Sequence, residues 1–103
     1  MSAISVADKL QRYLLNPEHP IGGAKAQWFD RALGYTRQNA GGLAQQLVFD
    51  ETKAVQTAVT PYGTKFNQTI NVVGANGRTI PVITAWIRGA DGVVRFVTAT
   101  PGN

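Results

Sequence analysis

The sequence predicts an α+β domain in which two to three N-terminal helices pack on a C-terminal antiparallel β-meander of three to four strands. Apolar residues recur at helical spacing as far as about residue 49, and from Thr64 the period changes to two. Two Gly-rich tetrapeptides, Gly74-Ala75-Asn76-Gly77 and Gly89-Ala90-Asp91-Gly92, cut the second half into runs that pair as successive hairpins. The 103 residues form a single domain, 1–103, large enough for one core, with no internal repeat or linker.

Residues 5–15 predict the first helix. Ser5 followed by Asp8 is a weaker form of the capping box, and Val6, Leu10, Tyr13 and Leu14 share one face between Lys9, Gln11 and Arg12. Such a face is ordinarily buried in its own domain, although membranes and partner proteins use the same pattern. Asn16-Pro17 ends the helix, because the residue before proline is pushed out of the helical region. Residues 24–33 predict a second helix with Ala24, Trp28, Ala32 and Leu33 on one face and Phe29 at its edge. Gly34 stops it by taking the left-handed conformation. Residues 35–42 read as a polar loop and residues 43–49 as a third helix, with Leu43 and Leu47 inward and Val48 a further inward candidate.

Residues 50–62 are ambiguous. Val55, Thr57 and Val59 alternate like a short edge strand that Pro61 ends. From Thr64, Phe66, Gln68, Ile70 and Val72 form one strand face, and residues 78–88 a second strand. Pro81 within that run suggests a bulge or the strand's start. Ile80, Val82 and Trp86 lie on one face of it and Ile83, Ala85 and Ile87 on the other, as in a central strand covered on both sides. The helices cover one face; the other is expected to be partly open, as a ligand-facing surface or an interface. Residues 93–99 are the last strand.

Composition narrows the chemistry. Cysteine is absent, which excludes disulfides, thiolate catalysis and Cys-based zinc sites, and the single histidine argues against a structural zinc site. The six carboxylates are scattered, so no metal set is expected. No apolar run approaches a membrane span, and the N-terminus lacks the order of a signal peptide. The net charge of +4 leans towards a polyanionic partner such as RNA, though mild basicity is also common in proteins that bind no nucleic acid.

The turn between the first two helices carries the chemistry: Asn16-Pro17-Glu18-His19-Pro20-Ile21-Gly22-Gly23-Ala24-Lys25. His19 is the side chain whose ordinary titration lies nearest neutrality and is the natural proton-transfer group. Its plain alternative is a hydrogen bond that fixes the loop. Gly22-Gly23 before a helix start offers backbone N–H groups at the positive end of the helix dipole, and Lys25 adds a full charge, which together make a phosphate site. The phosphate-loop pattern ending Gly-Lys-Ser/Thr is absent, so a tight turn followed by an exposed lysine is the rival. The strands supply Lys65, Arg78, Arg88, Arg95, Thr84, Thr98 and Thr100. Arg88 and Arg95 flank one turn as candidate cross-strand neighbours, and Thr84, Trp86 and Thr98 are candidates to share the open face. One reaction fits this inventory without metal, cofactor or cysteine: RNA cleavage by the neighbouring 2′-hydroxyl, with an acid, a base and a cation at the phosphorus.

The string Leu14-Leu15-Asn16-Pro17-Glu18-His19-Pro20-Ile21-Gly22-Gly23-Ala24-Lys25-Ala26, with Phe29, Leu33-Gly34-Tyr35 and Val97-Thr98-Ala99-Thr100-Pro101, resembles an uncharacterised bacterial domain family. That family occurs alone and as the C-terminal module of polymorphic toxins, including contact-dependent inhibition proteins. Asn76-Gly77-Arg78 and Ala85-Trp86-Ile87 match its style, and the likeness spans almost the whole chain. Helices followed by a meander ending in Val-Thr-Ala-x-Pro are similar to the barnase/EndoU/colicin/RelE group of metal-independent ribonuclease toxins. The resemblance implies a catalytic set of His19, Lys25, Arg88 and Thr98, with Arg95 the alternative arginine. RNA would be bound by Lys65, Arg78, Trp86 and Arg95. Many such toxins carry an aromatic before the final proline where this chain has Thr100, so Trp86 or Tyr62 would have to stack on the base.

The expected function is therefore a metal-independent endoribonuclease toxin of an interbacterial-competition or toxin–antitoxin system. It would act on tRNA or mRNA in the cytoplasm of the producing or target bacterium, use no cofactor, and be held by an acidic immunity or antitoxin protein. The rival is a non-enzymatic binding or adaptor module acting through the exposed sheet face. Nucleotidyl or ADP-ribosyl transfer is disfavoured, since neither a nucleotide fingerprint nor a suitably placed glutamate is present.

Overall fold

The computed structural model describes residues 6–20 and 22–102; the expected Ser5 cap lies outside them. Three helices precede a four-stranded antiparallel sheet in the order β1-β2-β3-β4, so the α+β class and the meander are as expected. The helices are α1 (Val6–Lys9), α2 (Gly23–Leu33) and α3 (Ala40–Ala44), and the strands are β1 (Val55–Thr60), β2 (Gly63–Val73), β3 (Thr79–Arg88) and β4 (Val94–Pro101).

The first helix departs from the expected regular α-helix. After Lys9 it widens into a π turn over Leu10–Leu14, closed by the Leu15 amide on the Leu10 carbonyl at 2.8 Å. A π turn sets residues i+4 and i+5 on either side of residue i, so Leu14 and Leu15 both fall beneath Leu10, and all three are buried. The same widening carries Tyr13 off the core face, where it is only half-buried.

Helix α2 ends as expected at Gly34 (φ 74°), whose amide bonds the Asp30 carbonyl while that of Tyr35 bonds Phe29. Its buried side is rotated from the expected one: Ala26, Phe29 and Leu33 are buried, Ala24 is exposed and Trp28 is half-buried. The expected polar loop 35–42 and helix 43–49 are also corrected, and Val48, beyond the end of the helix, is exposed rather than inward. Thr36 and Asn39 cap each other reciprocally and start a 3-10 turn (Arg37–Asn39) that leads directly into α3, ended by Ala44.

The sheet follows from local turn chemistry. In both glycine turns an Asx oxygen accepts the amide two residues on, Asn76 from Arg78 and Asp91 from Val93. Gly77 (φ 86°) and Gly92 (φ 77°) take the backbone region that favours glycine. The ambiguous segment becomes β1, paired to β2 and almost wholly exposed. Pro81 makes no bulge against β2, where it sits opposite Asn71 in continuous register. Its carbonyl accepts from Gly102, so its missing N–H would face the very end of β4 and breaks no ladder bond. The bulge lies instead in β4: Trp86 pairs with Phe96 and Ala85 with Thr98, skipping Val97. The skipped residue lets Phe96 and Ala99 both be buried although they are three apart.

One sheet face packs on the helices through Phe66, Val72, Val82, Trp86, Phe96 and Ala99. The opposite face shows Ile83, Ala85 and Ile87 half-buried beside exposed Lys65, Asn67 and Thr69. It is open, as the two-sided apolar character of β3 suggested.

Candidate functional site

The turn after Leu15 folds back on the π turn that precedes it. A Cβ on Gly22 would stand 2.4 Å from the Tyr13 carbonyl oxygen, and one on Gly23 2.7 Å from that of Pro17. The Gly-Gly pair is thus required by close backbone approach. Nor are its amides free for a phosphate, as expected from the sequence: Gly22 N–H donates to His19 Nδ1 at 3.0 Å and Gly23 N–H to the His19 carbonyl at 2.9 Å. With both amides spent inside the turn, the pair forms no phosphate cradle.

The Gly22 bond makes Nδ1 an acceptor, which puts the proton of the neutral imidazole on Nε2. The His19 ring packs edge-on against Tyr13 with centroids 5.0 Å apart. Beyond Tyr13 lies Lys25, in the first turn of α2. Its Nζ donates to Thr98 Oγ1 at 3.0 Å and to the Tyr13 hydroxyl at 3.5 Å. Tyr13 Oη and Thr98 Oγ1 are 3.3 Å apart, and Lys25 Nζ is 5.9 Å from the Tyr13 ring centre. The hydrogen bond to Thr98 pulls the Tyr13 phenol below its usual titration range; burial opposes this, and the charge and hydrogen bond of Lys25 reinforce it. His19, Lys25 and Thr98 come from a loop, a helix and an edge strand, and Tyr13 joins them.

Tyr13 was missed as a site residue because its spacing placed it on the core face. The signal that would have revealed it is the π turn, a form that recurs at functional sites and leaves no mark in apolar periodicity. Thr98 follows the bulged Val97, and bulges re-aim side chains in this way.

The remaining candidates do not join this cluster. Arg88 pairs with Glu51 and lies over the Phe66 ring at 5.2 Å, on the β2 side of β3. It is three rungs from the Ala85–Thr98 pair, about 10 Å along the strand. Arg95 is not its direct cross-strand neighbour: Arg88 faces Val94 and Arg95 faces Ile87. Arg95 instead holds Asp91 at 2.8 Å within its own turn. Trp86, expected on the open face, is 4% exposed and donates to Thr84 Oγ1 at 2.7 Å inside the core. Thr84 is likewise buried and passes a bond on to the Gln68 carbonyl. Lys65 is exposed on the open face opposite Ile87, and Arg78 is exposed at the other end of β2–β3. Tyr62, at the β1–β2 turn, is 85% exposed. Among the described residues no group of three or more His, Asp or Glu lies together as a metal set.

A family model described as Domain of unknown function (DUF6883) matches residues 2–103. No curated protein matches the chain. Among solved structures, the chain is similar to one from a contact-dependent growth inhibition toxin–immunity protein complex of Klebsiella pneumoniae 342. The two superpose with a TM-score of 0.74 at 19% identity, over 99% of this chain and 95% of that one. At that identity the likeness is one of fold.

Proposed function

The chain belongs to the DUF6883 family, and from that premise we propose that it is the toxin domain of a contact-dependent inhibition system that cleaves RNA without a metal. The observation that carries the reading is the Tyr13–His19–Lys25–Thr98 cluster, in which an imidazole, a phenol with lowered pKa and a lysine ammonium share one surface. Similarity in fold to a chain from a toxin–immunity complex supports the biological setting. The net charge of +4 suits the member of such a pair that approaches a polyanion, and leaves the neutralising partner to be acidic.

In this reading the RNA 2′-hydroxyl attacks the adjacent phosphorus and displaces the 5′-oxygen. Tyr13, as phenolate, takes the 2′-hydroxyl proton, and Lys25 stabilises both the phenolate and the charge on the phosphoryl oxygens. His19 donates a hydrogen bond from Nε2–H to the leaving 5′-oxygen, which takes its proton from the Lys25 ammonium. Thr98 holds Tyr13 and Lys25 in place. Arg88 enters no step, because its side chain is turned towards Glu51. Lys65, Arg78 and Arg95 serve as outlying cations for the RNA backbone.

The test is incubation of the purified chain with total RNA, with and without EDTA. Fragments ending in 2′,3′-cyclic phosphate are expected in both, and His19→Ala should remove them. No fragments from the wild type, or undiminished cutting by His19→Ala, defeats the proposal. A second reading is favoured by the open sheet face, where Ile83, Ala85 and Ile87 are half-buried. There the chain is a binding or adaptor module, and substitutions at Ile83 and Ile87 abolish partner capture while His19→Ala does not.

A further inference from the structure

A groove of about 510 Å³ opens between the π turn, α2 and the 3-10 turn, and none of the four cluster residues lines it. It nevertheless shares their elements: Gln11 stands two residues before Tyr13, Pro17 two before His19, and Ala26 follows Lys25. The volume falls in the range of small-ligand sites. Leu15 and Ala26, both buried, make an apolar floor with Pro17 beside it.

The rim holds an acid and a base apart. Asp30 and Arg37 both line the groove, yet no ion pair joins them, and among the described residues neither side chain makes a hydrogen bond. Their backbones are nonetheless fixed. Asp30 sits in α2, and the Arg37 carbonyl accepts from Gln11 Nε2 at 2.8 Å just after the Thr36 cap. Gln27 lies on the same helix face as Asp30, three residues earlier, with its amide likewise unused.

We propose that this groove is the subsite for an unpaired guanine nucleotide of the RNA, an inference that rests on the RNA-cleaving reading above. The apolar floor takes the base face, as single-stranded RNA recognition requires, and the Arg37 guanidinium takes a phosphate oxygen pair. The base is specified by Asp30. An ionised carboxylate only accepts hydrogen bonds, and the guanine Watson–Crick edge presents two parallel N–H donors, N1–H and the N2 amine, to its two oxygens. Gln27 donates to guanine O6. Adenine and cytosine each offer a single donor group at that edge, and uracil a lone ring N–H between two carbonyls that a carboxylate repels.

Titration of the full chain with the four nucleoside 5′-monophosphates, followed by amide NMR, reads the groove without any cleavage. GMP is expected to shift the amides of Gln27, Asp30 and Arg37 and to bind at least about tenfold more tightly than AMP, CMP or UMP. Asp30→Asn should erase that preference, and Arg37→Met should weaken all four alike. Equal binding of the four nucleotides, shifts outside the groove, or no binding overturns the assignment. A chain that binds GMP here but cuts no RNA defeats the cleavage reading alone. One that cuts RNA while ignoring GMP defeats this subsite alone.

Discussion

The Gly22 amide donates to His19 Nδ1 at 3.0 Å, and Gly22 lies so close to Tyr13 that a Cβ would meet the Tyr13 carbonyl oxygen at 2.4 Å. One glycine therefore sets the imidazole tautomer and seats the His19 turn on the π turn. The Tyr13 and His19 rings meet edge to face because these two backbones touch.

Gly22→Ala should accordingly destabilise the chain by about 1–3 kcal/mol, the range for forcing extra atoms into a packed site. It should also weaken cleavage, since His19 moves with the turn. Gly41→Ala is the internal control. Nothing lies within 4 Å of a Cβ there, and the residue is exposed within α3. That change should be neutral or add about 0.4–1 kcal/mol. Urea denaturation of the two variants measures both, and equal effects would mean that the Gly22 contact does not constrain the turn.

Acid stability gives an independent check on the β3–β4 turn. Asp91 is held at about 2 against its ordinary 3.8, first by the hydrogen bond from Arg95 and then by that from the Val93 amide. A carboxyl lowered by folding contributes stability above its unfolded pKa and loses it as pH falls through the folded one. The contribution of Asp91 should therefore fade between 3.8 and about 2. Asp91→Asn keeps the amide acceptor, as Asn76 does in the sister turn, but removes this pH dependence. The expected result is a shallower acid limb in stability against pH, with the variant slightly less stable at neutrality and converging on the wild type near pH 2; both effects are small because the pair is exposed.

Much of the fold was legible because it is local. Gly34, Asn76-Gly77 and Asp91-Gly92 act within a few residues, and each does what its residue type dictates. The grouping of Ile80, Val82 and Trp86 on one face of β3 was equally legible from alternation. Which face the helices cover is a tertiary fact, so Trp86 was placed on the open side when it belongs to the core. The site was half legible for the same reason. His19 and Lys25 announce themselves by chemistry within one turn, and Thr98 by the closing motif. Tyr13 depends on a π turn, and the role of Gly22 on a contact with the preceding helix, neither of which a local pattern records.

The buried polar chain under β3 should be expensive to break. Trp86 Nε1 donates to Thr84 Oγ1, and Thr84 donates to the Gln68 carbonyl, both at 2.7 Å, with Thr84 fully buried. Thr84→Val keeps the shape but strands the indole N–H in the core, at a cost of about 1–3 kcal/mol. Thr84→Ser restores the hydroxyl and should recover most of that loss. Thermal denaturation of the pair separates the hydrogen bonds from packing. A valine variant as stable as the wild type would show that the indole finds another acceptor.

The proton-accepting role of Tyr13 is testable through the residue that tunes it. Its phenol titrates below the ordinary 10.0, and the hydrogen bond with Thr98 is the leading cause. Removing that bond moves the pKa back up, so Thr98→Val should shift the Tyr13 transition to higher pH, and Lys25→Met should shift it in the same direction. Titration of ring-labelled tyrosine by NMR follows Tyr13 separately from Tyr35 and Tyr62. A base works only when deprotonated, so the alkaline rise of the RNA-cleavage rate should move upward in Thr98→Val by the same interval as the phenol. Tyr13→Phe should lose the rise altogether. If the phenol shifts while the rate profile stays where it was, Tyr13 only positions Lys25 and the proton is taken elsewhere.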